Sequence, residues 1–397
     1  MKRWLSVVAI VILCLALVIG AACKGEKEEG VKEVKIGIAL PLGGILGATV
    51  GVPGKQGFEL AAEKIGEFTV AGKSYHWNLI FEDNQGTSAG GVASATKFIH
   101  EYGVKFMHQY GSDAGMAAQR LCEESGVLLD MSAGLMEAFG PDKPHTFQMC
   151  PTYRVHSPIF FQWLTTAHPE VKTVVGAMND DAVGHEIIDA AVSSARYFGL
   201  EVLGTEFIPV GTMEMYPTAT KLAHMNADLT VMMPGGCFGS MREMDYEGRG
   251  AFIMWMTASG EQAGWNKVQG YLVYQPNPYG EELPQAAKDF AAEYEQRYHA
   301  ELTQGPYYAV TILYVLTDAL KKAGTVDDVD KIIQVLETES FDTLVGPLRF
   351  GGEELIGINH WLLWPAPIAE ISDHDYHVVA QFTPEEAYEL AVEVFGK

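Results

Sequence analysis

A chain of 397 residues is long for one hydrophobic core, so length alone predicts two domains. With 48% hydrophobic and 11% aromatic residues it reads as a packed globular protein, which excludes a disordered one. The formal net charge of -24 excludes a phosphate-backbone partner, because nucleic-acid binding needs clustered Lys and Arg.

The amino terminus reads as an export address. Met1-Lys2-Arg3 is basic, Leu5 to Ala22 is apolar apart from Ser6, and Gly20-Ala21-Ala22 precedes Cys23. That is the order of a secretory signal, covering residues 1–22. Cys23 after small residues resembles a bacterial lipoprotein box, which implies lipidation at Cys23 and a charged tether over residues 23–33. Gly20 departs from that box, which usually carries an aliphatic residue there. The apolar run is also about long enough to span a bilayer, so an uncleaved anchor is the alternative. Cys122, Cys150 and Cys237 remain in the exported part, with no zinc spacing. Cys122 and Cys150 either pair, as an exported chain permits, or stay as buried thiols.

The folded part opens at Val34 with the apolar strand Val34 to Leu40, a Gly-rich loop from Pro41 to Gly54, and a helix over Gln56 to Ile65. A strand from His76 to Phe81 ends in Glu82-Asp83-Asn84, and Thr87-Ser88 starts a helix running to Tyr102. Val104 to Met107 is a strand leading into Tyr110-Gly111-Ser112-Asp113, with Ser112 as the predicted N-cap of the next helix. Val127-Leu128-Leu129 repeats the pattern and leads into Met131-Ser132-Ala133-Gly134. Two such strand-to-helix turns side by side would offer hydroxyls and helix-start amides to a carboxylate or carbonyl. The carboxyl edge of an open parallel sheet is where such folds bind ligands.

The same grammar restarts at Lys172 to Met178, with the loop Asn179-Asp180-Asp181-Ala182-Val183-Gly184 and a helix from His185 to Phe198. Strands follow at Glu201 to Thr205, Leu229 to Met233, Ala251 to Thr257 and Gly270 to Tyr274, with the loop Pro234 to Gly239 holding Cys237 and Phe238. Helices are predicted over Leu283 to Leu302, Gly305 to Ala323 and Val326 to Thr338. The tail reads as strands at Gly346 to Phe350, His360 to Trp364 and His377 to Phe382, then a helix capped by Thr383. The predicted class is α/β, two doubly wound lobes with parallel sheets and a cleft between facing carboxyl edges. Asp373-His374-Asp375 with His377 carries metal-capable side chains but reads as a solvated hairpin turn. No Gly-x-Ser-x-Gly elbow, His-Glu-x-x-His motif, dinucleotide fingerprint or phosphate loop occurs, so the sequence does not read as an enzyme.

Val34 to Leu42, Gly54, Gly57, Glu59-Leu60-Ala61, Glu82-Asp83-Asn84, Tyr110-Gly111-Ser112, Ser132-Ala133 and Gly346 to Gly351 together resemble the extracytoplasmic solute-binding proteins of branched-chain amino acid ABC transporters. The resemblance covers essentially Val34 to about Phe382. It implies the type I periplasmic-binding-protein fold with a three-crossing hinge near Pro151, Pro276 to Tyr279, and Thr343 to Gly346. Lobe one is then 34–150 with 280–344, and lobe two 152–277 with 346–397. The resemblance also implies capture of a small ligand without a cofactor, and delivery to ABC permease subunits by a lipid-anchored protein outside the cytoplasm. A sensory receptor of the same fold, acting on a signalling partner, is the alternative.

Carried over by position, Ser112 matches the serine that binds the ligand's carboxylate or carbonyl, flanked by Tyr110 and Asp113. Ser132, Ala133 and Gly134 match a Ser-Ala-Thr turn, with Gly134 replacing the Thr. Asp181 and Val183 lie on the facing loop, where a Tyr is usual in place of Val183. Cys237 and Phe238 match a position that is commonly a Tyr pair, and Ala258 and Glu261 fall near the acidic residue that holds an ammonium group. Asp180 and Asp181 either hold an ammonium or form a solvated turn, and Phe238 is either a ligand-facing lid or a core residue.

Overall fold

The computed structural model describes residues 30–132, 134–209, 212–232, 235–253, 257–274 and 283–396. Lobe one is built on a six-stranded sheet of β1 (Lys32–Leu40), β2 (Phe68–Val70), β3 (Lys73–Asp83), β4 (Phe106–Tyr110), β5 (Leu128–Ser132) and β6 (Thr146–Phe147). Its order is β2-β3-β1-β4-β5-β6, parallel except for β2. Val34, Ile36, Ile38 and Leu40 alternate along β1 onto one core face, as a strand's period of two requires. That face is closed by α1 (Val52–Ile65), α9 (Gln285–Tyr298), α10 (Gln304–Ala323) and α11 (Val329–Thr338). The opposite face is covered by α2 (Ser88–Lys97) and α3 (Ser112–Ser125), with Ala95, Ala118 and Cys122 wholly buried.

Lobe two holds a seven-stranded sheet with order β16-β15-β11-β10-β9-β7-β8. Its parallel strands are β7 (Thr173–Asn179), β8 (Glu201–Ile208), β9 (Leu229–Met232), β10 (Arg249–Phe252) and β11 (Leu272–Tyr274). The tail strands β15 (Ala366–Ser372) and β16 (Asp375–Phe382) extend it antiparallel. Its helices are α4 (Tyr153–Ala167), α5 (Ala182–Tyr197), α6 (Tyr216–Met225), α7 (Gly235–Glu243) and α8 (Thr257–Ala263). Asp373 and His374 take positive φ of 51° and 67° in the β15–β16 turn, the backbone a two-residue hairpin loop demands.

Two expectations need correction. The stretch Pro41 to Gly54 is mostly helical rather than loop: Gly44–Leu46, a π turn over Gly47–Gly51, then α1. Gly47 and Gly51 let this segment fold back on the chain; a Cβ at Gly51 would come within 1.7 Å of the Pro41 carbonyl oxygen. The third crossing is not at Thr343 to Gly346. There β12 (Ser340–Thr343) turns into β13 (Gly346–Gly351) as a hairpin, with Gly346 at φ 101° and the Thr343 hydroxyl donating to the Gly346 carbonyl at 2.6 Å. Phe341, Leu348, Phe350, Leu362 and Trp364 sit in the lobe-one core, so residues 346–364 belong to that lobe. The chain crosses between Trp364 and β15. The crossing expected at Pro276 to Tyr279 lies outside the described residues.

The first crossing hangs on one carboxylate. Asp130 on β5 is 1% exposed; its Oδ2 lies 2.6 Å from His108 Nδ1 on β4, and its Oδ1 accepts from the Met149 amide at 2.8 Å. The Met149 carbonyl in turn accepts from Trp364 Nε1 at 3.0 Å, tying the first crossing to the third. Gln148 adds a parallel bridge to Trp361 of β14 (Trp361–Leu362), and His360 stacks on Phe147 at 3.7 Å.

The C-terminal helix α12 (Pro384–Phe395) begins with a capping box between Thr383 and Glu386. Tyr388 hydroxyl accepts from the Gly352 amide at 2.8 Å and donates to Glu354 at 2.5 Å, while Arg154 of α4 lies over the Phe395 ring. The helix therefore packs on both lobes at the hinge. Removing Asp130 strands the buried His108 ring nitrogen and the Met149 amide without their acceptor, so Asp130→Ala should lower stability by about 2–6 kcal/mol. Urea unfolding at neutral pH measures this, and a loss below about 1 kcal/mol, the scale of an exposed pair, would show that Asp130 is not the clamp described.

Candidate functional site

The wall offered by lobe one starts from Asn84, which is wholly buried at the end of β3. Its Nδ2 donates to the carbonyls of Tyr110 (2.9 Å) and Ala39 (3.2 Å), and its Oδ1 accepts from the Gly86 amide at 3.0 Å. Asp83 beside it accepts from the Leu42 amide at 2.9 Å. Asp83-Asn84 thus pins the carboxyl ends of β1, β3 and β4 into one edge. Parallel pairing then sets Tyr110 directly beside Ser132.

Ser112 is the first residue of α3, and its N-cap is Gly111 at φ 94° rather than Ser112 itself. The reason is local: the first intrahelical bond runs from the Gly115 amide to the Gly111 carbonyl, one residue earlier than the serine-cap reading places it. The amides of Ser112, Asp113 and Ala114 precede that bond and point out of the helix. Ser112 is half-buried, Asp113 exposed. The second turn is shorter than its sequence suggests. Ser132 ends β5, and the helix that follows is a single 3-10 turn, Met136–Ala138. The Gly134 amide donates to Gln148 Oε1 at 3.2 Å, so that main-chain donor is committed to the hinge.

Burial shapes the acid–base character of the wall. The Tyr110 phenol is pushed up to about 12, by burial first and then by Cys150. Burial also pushes the Cys150 thiol up to about 12, with Asp130 adding to the shift and a hydrogen bond from Ser132 opposing it. Both stay protonated at neutral pH. Cys122 is free, its Sγ 3.7 Å from Met107 Sδ, and Cys150 is free beside Ser132, so the disulfide alternative falls.

Lobe two meets this wall at Gly134. Gly134 has φ 67°, and a Cβ there would lie 3.3 Å from the Tyr153 ring and 3.9 Å from Val183 Cγ1. Tyr153 opens α4 just after the first crossing, and Val183 lies in the first turn of α5. Asp181 caps α5, its Oδ1 accepting from the Gly184 amide at 2.7 Å, and Asp180 pairs with His185 at 2.9 Å; both are exposed. The solvated-turn reading of this pair is the one the geometry supports.

Cys237 and Phe238 need correction. Both are wholly buried in α7, and the Phe238 ring packs on Phe252 (4.7 Å) and Tyr271 (5.1 Å) in the lobe-two core. The loop expected over Pro234 to Gly239 is helical from Gly235, which turns these side chains inward. Glu261 lies exposed on α8. Ala258 is on the same helix, described in its backbone alone, and Ala133 and Cys23 lie outside the described residues. Sequence reasoning passed over Tyr153, which lies against Gly134 where the lobes meet, and Tyr274, buried with it in the lobe-two core. The signal available for Tyr153 was its place directly after the crossing Pro151-Thr152.

Among the described residues no cluster of three His, Cys, Asp or Glu side chains forms a metal site, and no helix is long and apolar enough to cross a membrane.

Residues 33–370 match the family model of the periplasmic binding protein. The chain belongs to that family. Its two-lobed α/β fold is shared with solved binding proteins at low identity. A leucine binding protein of Thermotoga maritima is 18% identical, with a TM-score of 0.74 over 89% of this chain and 99% of its own. A closed leucine-, isoleucine-, valine-, threonine- and alanine-binding protein of Brucella ovis is 18% identical, TM-score 0.77, over 90% and 97%. An ABC-transporter solute binding protein of Rhodopseudomonas palustris, in complex with 3,4-dihydroxybenzoic acid, is 18% identical, TM-score 0.74, over 89% and 98%. No curated protein sequence matches the chain.

In this binding protein the hinge side of α4 also carries His156, 3% exposed, with neither ring nitrogen hydrogen-bonded among the described residues. Burial holds its pKa down at about 4, against the opposing pull of the Trp364 and Pro365 backbone. An unfolded histidine titrates near about 6.5, so between these values the unfolded chain binds the extra proton and stability rises with pH. His156 should therefore contribute a loss on the order of 3 kcal/mol as pH falls from about 6.5 to about 4. Urea titrations across that window should show a shallower pH dependence for His156→Leu than for the parent; parallel curves would contradict the assignment.

Proposed function

We propose that this chain is the solute-capturing component of an ABC transporter, tethered outside the cytoplasm by lipid on Cys23, and that the lobes close on a small ligand. Ser112, its neighbouring helix-start amides, Tyr110 and Ser132 receive an acceptor end, a carboxylate or amide. Tyr153 and Val183 meet the body of the ligand from lobe two. The observation that carries this reading is the approach of Tyr153 and Val183 to Gly134, which brings the facing lobe to the Ser132–Gly134 turn. Contacts drawn from both lobes favour the closed state by their differential affinity, which is the physical basis of capture and release.

The ligand is small and largely apolar with one acceptor end, since hydroxyl and amide donors face aromatic and aliphatic walls. Branched-chain amino acids are the leading candidates. Simple carboxylates fit the same donors, in line with a structural relative whose ligand is 3,4-dihydroxybenzoic acid. Asp181 has one oxygen engaged in its helix cap, so an ammonium would have to share that carboxylate or reach Glu261.

A thermal-shift panel of amino acids, their amides and simple carboxylates tests this, because a ligand that binds only the folded state raises the melting temperature with concentration. Ser112→Ala should weaken the best ligand by about 1–3 kcal/mol, as a buried acceptor loses a partner. A sugar or polyamine hit, or a variant that binds as tightly as the parent, would overturn the site. For the anchor, Cys23→Ala should leave an unprocessed precursor or release the protein from membranes on fractionation; a variant that matures and fractionates like the parent contradicts it.

A further inference from the structure

The hinge end of the cleft holds polar groups that capture of a single acceptor end does not use. Tyr153 opens α4, and Ser157 follows one helical turn later on the same face. Tyr274 ends β11 at the carboxyl edge of lobe two, its ring stacked on Phe160 at 4.3 Å and 17°. The Tyr153 ring lies against Gly134 and shares one buried cluster with Phe160 and Tyr274.

Two of these polar groups lack a full hydrogen-bond partner among the described residues. Tyr274 and Ser157 are 1% and 0% exposed, and neither hydroxyl makes a well-formed hydrogen bond among the described residues. They lie close enough for Ser157 to ease the burial of the Tyr274 phenol, without the geometry of a full bond. Buried hydroxyls are ordinarily paired, and an unpaired one works against folding. Phe and Ala would pack here at less cost, so the hydroxyls point to a task in binding. Burial holds the Tyr274 and Tyr153 phenols protonated, so each is a neutral group that donates and accepts. That matches a neutral hydroxyl better than a second carboxylate or an ammonium. The Tyr153, Tyr274 and Phe160 rings supply the flat apolar walls that suit an aromatic body.

We infer that Tyr153, Ser157 and Tyr274 form a second polar subsite at the hinge end of the cleft, which receives a hydroxyl at the ligand end opposite its carboxylate. The ligand class is then a hydroxylated aromatic carboxylate or amino acid. This rests on the capture reading above, with the carboxylate at Ser112.

The test is isothermal titration of the mature chain with two matched pairs: 4-hydroxyphenylacetate against phenylacetate, and tyrosine against phenylalanine. The parent should prefer the hydroxylated member of a pair by about tenfold or more, since a site built to pair a hydroxyl rejects the analogue without it. Tyr274→Phe and Ser157→Ala should bring that ratio to about one while changing the affinity for the plain member by less than about twofold. Tyr274→Phe keeps the ring stack, so the melting temperature without ligand should hold or rise. A fall in that temperature would assign the hydroxyl to folding and overturn the subsite. So would an unchanged ratio in the variants, or a parent that prefers the plain member. If the parent binds none of the four probes, the subsite falls, whereas the capture reading falls only if the thermal-shift panel of amino acids, amides and carboxylates is also empty. Binding with an unchanged ratio overturns the subsite alone.

Discussion

One buried carboxylate organises the region where the chain passes between its lobes. Asp130 sits in a sheet interior where an unpaired charge would be prohibitively costly, and it is held by His108 on the adjacent strand and by the Met149 amide. Because Met149 also accepts from the Trp364 indole, two of the chain's passages between lobes are fastened to the same strand end. The cleft inherits its geometry from that fastening. Ser132, two residues after Asp130, cannot shift relative to Tyr110 without breaking the pairing, and Cys150, one residue after Met149, lies against Ser132.

Around this clamp the site divides into a fixed wall and a neighbouring floor. The wall is made by the ends of β1, β3, β4 and β5, cross-tied by Asn84, and it presents groups that stay neutral or half-exposed at ordinary pH. The floor belongs to α4, which starts at the first crossing and carries Tyr153, His156 and Ser157 within its first turn and a half. The same helix packs against α12 and lies beside the third crossing through His156. Under the capture reading, ligand contact and hinge packing fall on one helix, which would give an occupied cleft a direct physical route to a change in lobe angle.

The comparison with leucine-binding and aromatic-acid-binding relatives concerns fold, since all are about as dissimilar in sequence. Under the capture reading, Val183 stands where the resemblance implies a tyrosine, while Tyr153 and Tyr274 place aromatic hydroxyls at the start of α4 and the end of β11. The loss of a side chain at Gly134 fits this exchange: its missing Cβ is the space that the Tyr153 ring approaches.

The order of elements, the two-lobed class and the place of Ser112 and Ser132 at a sheet edge were legible in the sequence, because they follow from local pattern. Apolar runs with period two, helix faces with period 3.6 and caps such as Thr87 and Thr383 act over a few residues, so the chain carries them explicitly. Four things were settled only by tertiary packing. Gly47 and Gly51 read as loop residues but serve a tight return onto Pro41 and Leu42, a contact no local pattern encodes. Thr343 to Gly346 read as a crossing but is a hairpin turn, because Phe341, Leu348 and Phe350 find their burial on lobe one. Phe238 turned inward because its loop wound into a helix over Gly250, and Tyr153 and Tyr274, far apart in sequence, meet in one lobe-two core cluster. Which aromatic side chain faces a cleft depends on how two lobes meet, and that is a property of long-range contacts rather than of any stretch of sequence.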